Sequence, residues 1–85
     1  MTMTSSESVT LTPEQIQELN KQLSTMRHDI NNYLSLILAA TEVIRRKPEA
    51  AERMSATLTD QPRKVTDAML KFSADFEKLL GLKKA

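Results

Sequence analysis

Cysteine is absent from this 85-residue chain, and so is tryptophan. Without a thiol there is no disulfide framework and no thiolate nucleophile, which fits a reducing, cytoplasmic setting. A single histidine and no cysteine leave no transition-metal cluster to expect. No glycine-rich phosphate cradle and no Ser/His/Asp arrangement is present, so no metal and no cofactor is expected. With one tyrosine, two phenylalanines and a net charge of +1, the chain lacks both the basic stripe and the stacking residues that nucleic-acid binding needs. No apolar run is long enough to span a bilayer. The first residues also lack the basic and apolar regions of a signal peptide, so neither is expected.

What the chain does contain is helix-forming sequence, in a length that makes one domain and too small a core to stand without a partner chain. Residues 1–11 open with a Ser/Thr-rich, aperiodic segment read as a disordered tail, and residues 12–85 as one helical domain. Thr12 is a good N-cap, Pro13 suits the first helical position, Gln15 completes a capping box, and Leu11 is placed to staple onto Ile16. From there Ile16, Leu19, Leu23, Met26, Ile30, Tyr33, Ile37, Ala40 and Ile44 recur at alternating steps of three and four, the a/d seam of a coiled coil. The helix is expected to run to about Arg46, because Pro48 disfavours helical geometry at Lys47.

A tight turn over Arg45 to Pro48 leads to a second helix with Pro48 at its first position and an apolar series Met54, Leu58, Val65, Met69, Phe72, Phe76 and Leu79. Pro62 either kinks this helix or, with Asp60 as a new cap, opens a separate third segment; a kink is the favoured reading. Gly81 fits the C-terminal cap, with Leu82 folding back on Phe76 and Lys83 and Lys84 meeting the negative helix end. The fold class is therefore all-α, a two-helix antiparallel hairpin. Leu34, Leu36, Leu38 and Val43 flank the first seam and make it too wide for one partner helix. Two hairpins packed as a four-helix bundle cover that belt, and a symmetric homodimer supplies the second pair. The other readings of the belt are a different protein partner or a membrane surface. Met54 and Met69 are read as core filler.

With Ile16 at heptad position a, His28 falls at f, turned to solvent, with Asp29 beside it and Asn32 one turn further on. These residue types suit phosphoryl transfer: a neutral imidazole nitrogen accepts a phosphoryl group near neutral pH, and a carboxylate fixes the tautomer through the other nitrogen. A carboxamide orients a phosphoryl oxygen or a water.

The heptapeptide His28-Asp29-Ile30-Asn31-Asn32-Tyr33-Leu34 resembles the H-box of the dimerisation and histidine phosphotransfer domain of two-component sensor histidine kinases, in the sub-pattern H-D-x-N-N-x-L. The resemblance spans roughly Gln22 to Leu80 and implies a helical hairpin that dimerises into a four-helix bundle. His28 matches the phosphoacceptor and Asp29 the acidic residue that assists transfer. Asn32 matches the polar residue that positions water on an aspartyl-phosphate partner, and Asn31 the second polar position. Two departures stand out: no proline follows the H-box, and the sequence stops where an ATP-binding domain begins in such kinases.

The function expected on this basis is that of a stand-alone histidine phosphotransfer protein, not an autonomous kinase. It would exchange a phosphoryl group at His28 with response-regulator receiver domains, a sensor kinase being a further partner. Arg27, Asn31, Ser35, Arg45 and Arg46 are the candidate partner contacts, the basic ones facing an acidic receiver. The alternatives are a receiver phosphatase or binding regulator using the same surface, and a purely structural dimerising bundle.

Overall fold

A computed structural model describes residues 8–81. Residues 8–12 are irregular, α1 is Pro13–Arg46, a 3-10 turn covers Pro48–Ala50, and α2 is Ala51–Leu80. The two helices pack against each other as an antiparallel hairpin, and no strand occurs among the described residues.

Local chemistry sets each boundary. The Thr12 hydroxyl accepts a hydrogen bond from the Gln15 N–H at 3.1 Å, and the Gln15 side-chain oxygen accepts one from the Thr12 N–H at 2.8 Å. This reciprocal pair satisfies two amides at the start of α1 that would otherwise lack partners. At the other end Lys47 turns to φ −135°, ψ 85°, the extended geometry that a following proline imposes. Its N–H still donates to the Val43 carbonyl at 2.8 Å. The second α-helix begins at Ala51, not at Pro48, since Pro48–Ala50 takes a tighter 3-10 turn closed by Ala50 N–H donating to the Lys47 carbonyl at 2.8 Å. Gly81 ends α2 at φ 68°, a left-handed conformation that is costly for any residue with a Cβ. The expected closure by Leu82, Lys83 and Lys84 lies outside the described residues, as does most of the N-terminal tail.

Pro62 does not start a third segment: α2 continues through it. Helical bonding on both sides, together with packing against α1, carries the helix past the one amide it lacks.

The interior is thin. Of the described apolar residues only Ala40 and Ala50 are fully buried, and both lie at the closed end of the hairpin. Small side chains there let the backbones approach closely. The rest of the interface is built from half-buried Leu19, Met26, Ile30, Tyr33 and Ile37 on α1 and Met54, Leu58, Val65, Phe72 and Phe76 on α2. The Phe72 and Phe76 rings meet at 6.0 Å, tilted by 37°.

The heptad reading is corrected at the open end. Ile16 stays 53% exposed and Leu23 37% exposed, while Gln15, Gln22 and Asp29 share the half-buried side with Leu19 and Met26. A straight helix drifts by about 20° per heptad against a strict seven-residue repeat, so the side facing α2 moves off the a positions. On α2, Met69 is likewise exposed, and Ala68 takes its place toward α1.

The contact at Ala40 yields the first prediction. Ala40→Leu should overpack the closed end by about 1–3 kcal/mol, lowering the melting temperature by roughly 4–8 °C per kcal/mol in a domain this small. Ala39→Leu, one residue away on the exposed side, should leave thermal unfolding by circular dichroism nearly unchanged.

Candidate functional site

His28 lies in the middle of α1 with its side chain 84% exposed. At about 100° per residue, its direction lies far round the helix from the side that meets α2. Lys21, Asn32, Ser35, Ala39 and Arg46 fall within about 40° of His28 by the same count, so they form one line along α1. Arg46 ends that line about 27 Å from His28 at 1.5 Å per residue.

The Nδ1 atom of His28 lies 3.5 Å from Oδ1 of Asp29. That separation is long for a hydrogen bond, so the contact is mainly electrostatic. It faces one ring nitrogen toward the carboxylate and leaves Nε2 toward solvent. Asp29 is only 43% exposed because its position lies nearer α2. Asn32 is exposed, and its carboxamide makes no hydrogen bond among the described residues. Ser35 is committed locally: its hydroxyl donates to the Asn31 carbonyl at 2.9 Å.

The other candidate contacts do not gather around the histidine. Arg27 and Arg45 fall on the same side of α1 as Leu34 and Leu38, well away from His28 by the helical count. Asn31 lies between the two sides. Arg45 forms a two-pronged contact with Glu42, its Nε and an Nη donating at 2.9 and 2.8 Å, which raises the guanidinium pKa further above its ordinary value. Arg46 reaches the same carboxylate at 4.0 Å.

A groove of about 270 Å³ runs between the helices beside Asp29. Lys21, Gln22 and Thr25 line it from α1, and Lys71 and Asp75 from α2. Lys71 Nζ donates to the Asp75 carboxylate at 2.9 Å, and Gln22 Nε2 donates to Glu18 at 3.2 Å. The Gln22 Oε1 atom is buried without a partner. None of these residues stood out in the sequence, where they read as polar positions on two separate helices. Their convergence depends on the register of the hairpin, for which the sequence carries only the turn as a signal.

Comparison of the chain with protein-family models, with curated proteins and with solved structures finds no match. No described helix is long and apolar enough to cross a membrane.

Because His28 and Asn32 are exposed and bear little of the packing, His28→Ala and Asn32→Ala should each change stability by no more than about 0.5 kcal/mol. Phe72→Ala removes a half-buried ring and should cost about 1.5–3 kcal/mol. Urea unfolding of the three variants beside the parent checks the contrast.

Proposed function

We propose that this chain is a histidine phosphotransfer protein of two-component signalling, working in the cytoplasm and exchanging a phosphoryl group between His28 and the aspartyl phosphate of response-regulator receiver domains. The observation that carries the reading is the placement of His28: a single imidazole, exposed in mid-helix, with Asp29 at 3.5 Å from Nδ1 and Asn32 one turn away.

In this reaction Nε2 attacks the phosphorus of the receiver's aspartyl phosphate. The N–P bond forms as the P–O bond to the aspartyl carbonyl carbon's oxygen breaks, and the receiver's aspartate departs as a carboxylate. The imidazole gains positive charge while its proton stays on Nδ1, and the Asp29 carboxylate stabilises that charge. Reversal returns the phosphoryl group to a receiver. Lys21 and Arg46, on the histidine's line, are placed to meet an acidic partner surface and to speed encounter.

A second reading, receiver phosphatase activity, is favoured by Asn32. Its unengaged carboxamide is free to orient a water for attack on the receiver's phosphoryl group.

The assembly that fits this role is a homodimer. Leu34, Leu38 and Met69 are 50%, 66% and 53% exposed, and together with Ile16 and Leu23 they make an apolar face; Leu36 and Val43, expected in the same belt, fall on the other side of α1 by the helical count. By the helical count this face lies on the side of the hairpin opposite the groove of Lys21, Asp29 and Lys71. A second copy applied to that face makes a four-helix bundle and leaves His28 outward on both protomers. Arg27 and Arg45 lie on this same side by the helical count, where their long stems cover apolar surface while the charges reach water at its edge.

Two experiments test these statements. Incubated with phosphorylated receivers, the parent should gain acid-labile label and His28→Ala none, while Asn32→Ala should remain labelled but slow receiver dephosphorylation by about 10- to 1000-fold. A parent that neither takes label nor speeds receiver dephosphorylation would sink both readings. For assembly, sedimentation should give twice the chain mass, and Leu34→Glu with Leu38→Glu should halve it while retaining helical circular dichroism. A parent that sediments as one chain at micromolar concentration contradicts the dimer.

A further inference from the structure

The middle of α2 contains a layer in which helix and interface are both weakened. Gln61 is 8% exposed, yet its Oε1 accepts no hydrogen bond among the described residues. Pro62 follows it and has no N–H, so the Leu58 carbonyl loses its helical donor. One turn later the Thr66 hydroxyl donates to the Pro62 carbonyl at 3.3 Å, a bond back to the preceding turn of the kind that bends helices.

The facing stretch of α1 has the same character. The hydroxyl of Ser35 donates to the carbonyl of Asn31 at 2.9 Å. Met26 and Asp29 line the same groove as Phe72 and Ala68, and that register brings Ser35 level with Pro62 and Ile37 level with Gln61. Weak points on both helices therefore share one level of the hairpin. Toward the turn lies the tightly packed end of Ala40 and Ala50, and away from it the aromatic contact of Phe72 and Phe76.

We infer that this level is a hinge, about which the half of the hairpin bearing His28 rocks against the half bearing the turn. The line from His28 to Arg46 crosses it. A bend alters the angle between the histidine and the basic end of α1, so a partner that touches both selects one bend, and the bend in turn sets how well the partner's phosphoryl group meets Nε2. The regulatory part of this inference rests on the phosphotransfer reading; the hinge itself does not.

The test uses the full chain and the double variant Gln61→Leu with Pro62→Ala, which replaces the unpaired carboxamide and restores a donor to the Leu58 carbonyl, and so should fold more firmly than the parent. In the parent, amides of residues 58–66 should exchange with deuterium at least about 10-fold faster than those of residues 67–77, and the double variant should remove that difference. Uniform exchange along α2 in the parent, or no slowing in the variant, overturns the hinge. The second measurement is the rate at which a phosphorylated receiver labels His28, expected to change by about 3-fold or more in the variant. Slowed exchange with an unchanged labelling rate overturns the regulatory role. A parent that is never labelled overturns the phosphotransfer reading, and the hinge is then decided by exchange alone.

Discussion

Two helices lying side by side can each bury one stripe against the other and no more, and that limit governs this molecule. The chain has apolar residues for two stripes on α1, so one set packs against α2 and the other stays in water. The consequence is a hairpin whose fully buried apolar residues, among those described, are two alanines at the closed end. Hydrophobic stabilisation scales with area removed from water, so most of what the leucines of α1 have to offer is unspent in the single chain. This is the physical ground on which a second protomer is proposed, and it distinguishes the face of Leu34 and Leu38 from the face of His28.

The histidine belongs to the polar face for the same reason. One direction of α1 is taken by α2 and another by Leu34 and Leu38, and His28 points into what remains. Its backbone is held in mid-helix and its side chain is open to solvent, as the proposed exchange with a separate protein requires. Asp29, one residue later, is turned about 100° toward α2 and so stands between the imidazole and the groove of Lys71 and Asp75. Charge at the histidine is thus connected to the space between the helices through a single carboxylate.

Where the interface carries polar groups, their cost depends on depth. Gln22 at the open groove and Gln61 in mid-hairpin both leave a buried oxygen unpaired, but only Gln61 adjoins a residue that also breaks the hydrogen-bond ladder. Surface pairs such as Arg45 with Glu42 and Lys71 with Asp75 have short contacts and contribute little, since both cations are well solvated. Rigidity in this fold therefore follows side-chain packing near the turn and at Phe72 and Phe76 rather than the count of ion pairs.

The sequence by itself determined the helices, their caps and the solvent-facing position of His28, because these depend on residues within three or four places of one another. Thr12 with Gln15, Pro48 after Lys47, Gly81 after Leu80, and the f position of His28 are all local statements. The tertiary structure decided what depends on the phase of one helix against the other. That Gln15, Gln22 and Asp29 turn toward α2 in place of Ile16 and Leu23, that Ala68 displaces Met69, and that Lys71 and Asp75 come beside Asp29 all follow from a few tens of degrees of rotation. A seven-residue repeat read along one strand of sequence does not contain that angle, because it is fixed only when two helices of 3.6 residues per turn settle their side chains into each other. Pro62 shows the same division: the missing amide is legible in the sequence, while the continuation of α2 through it is imposed by packing against α1.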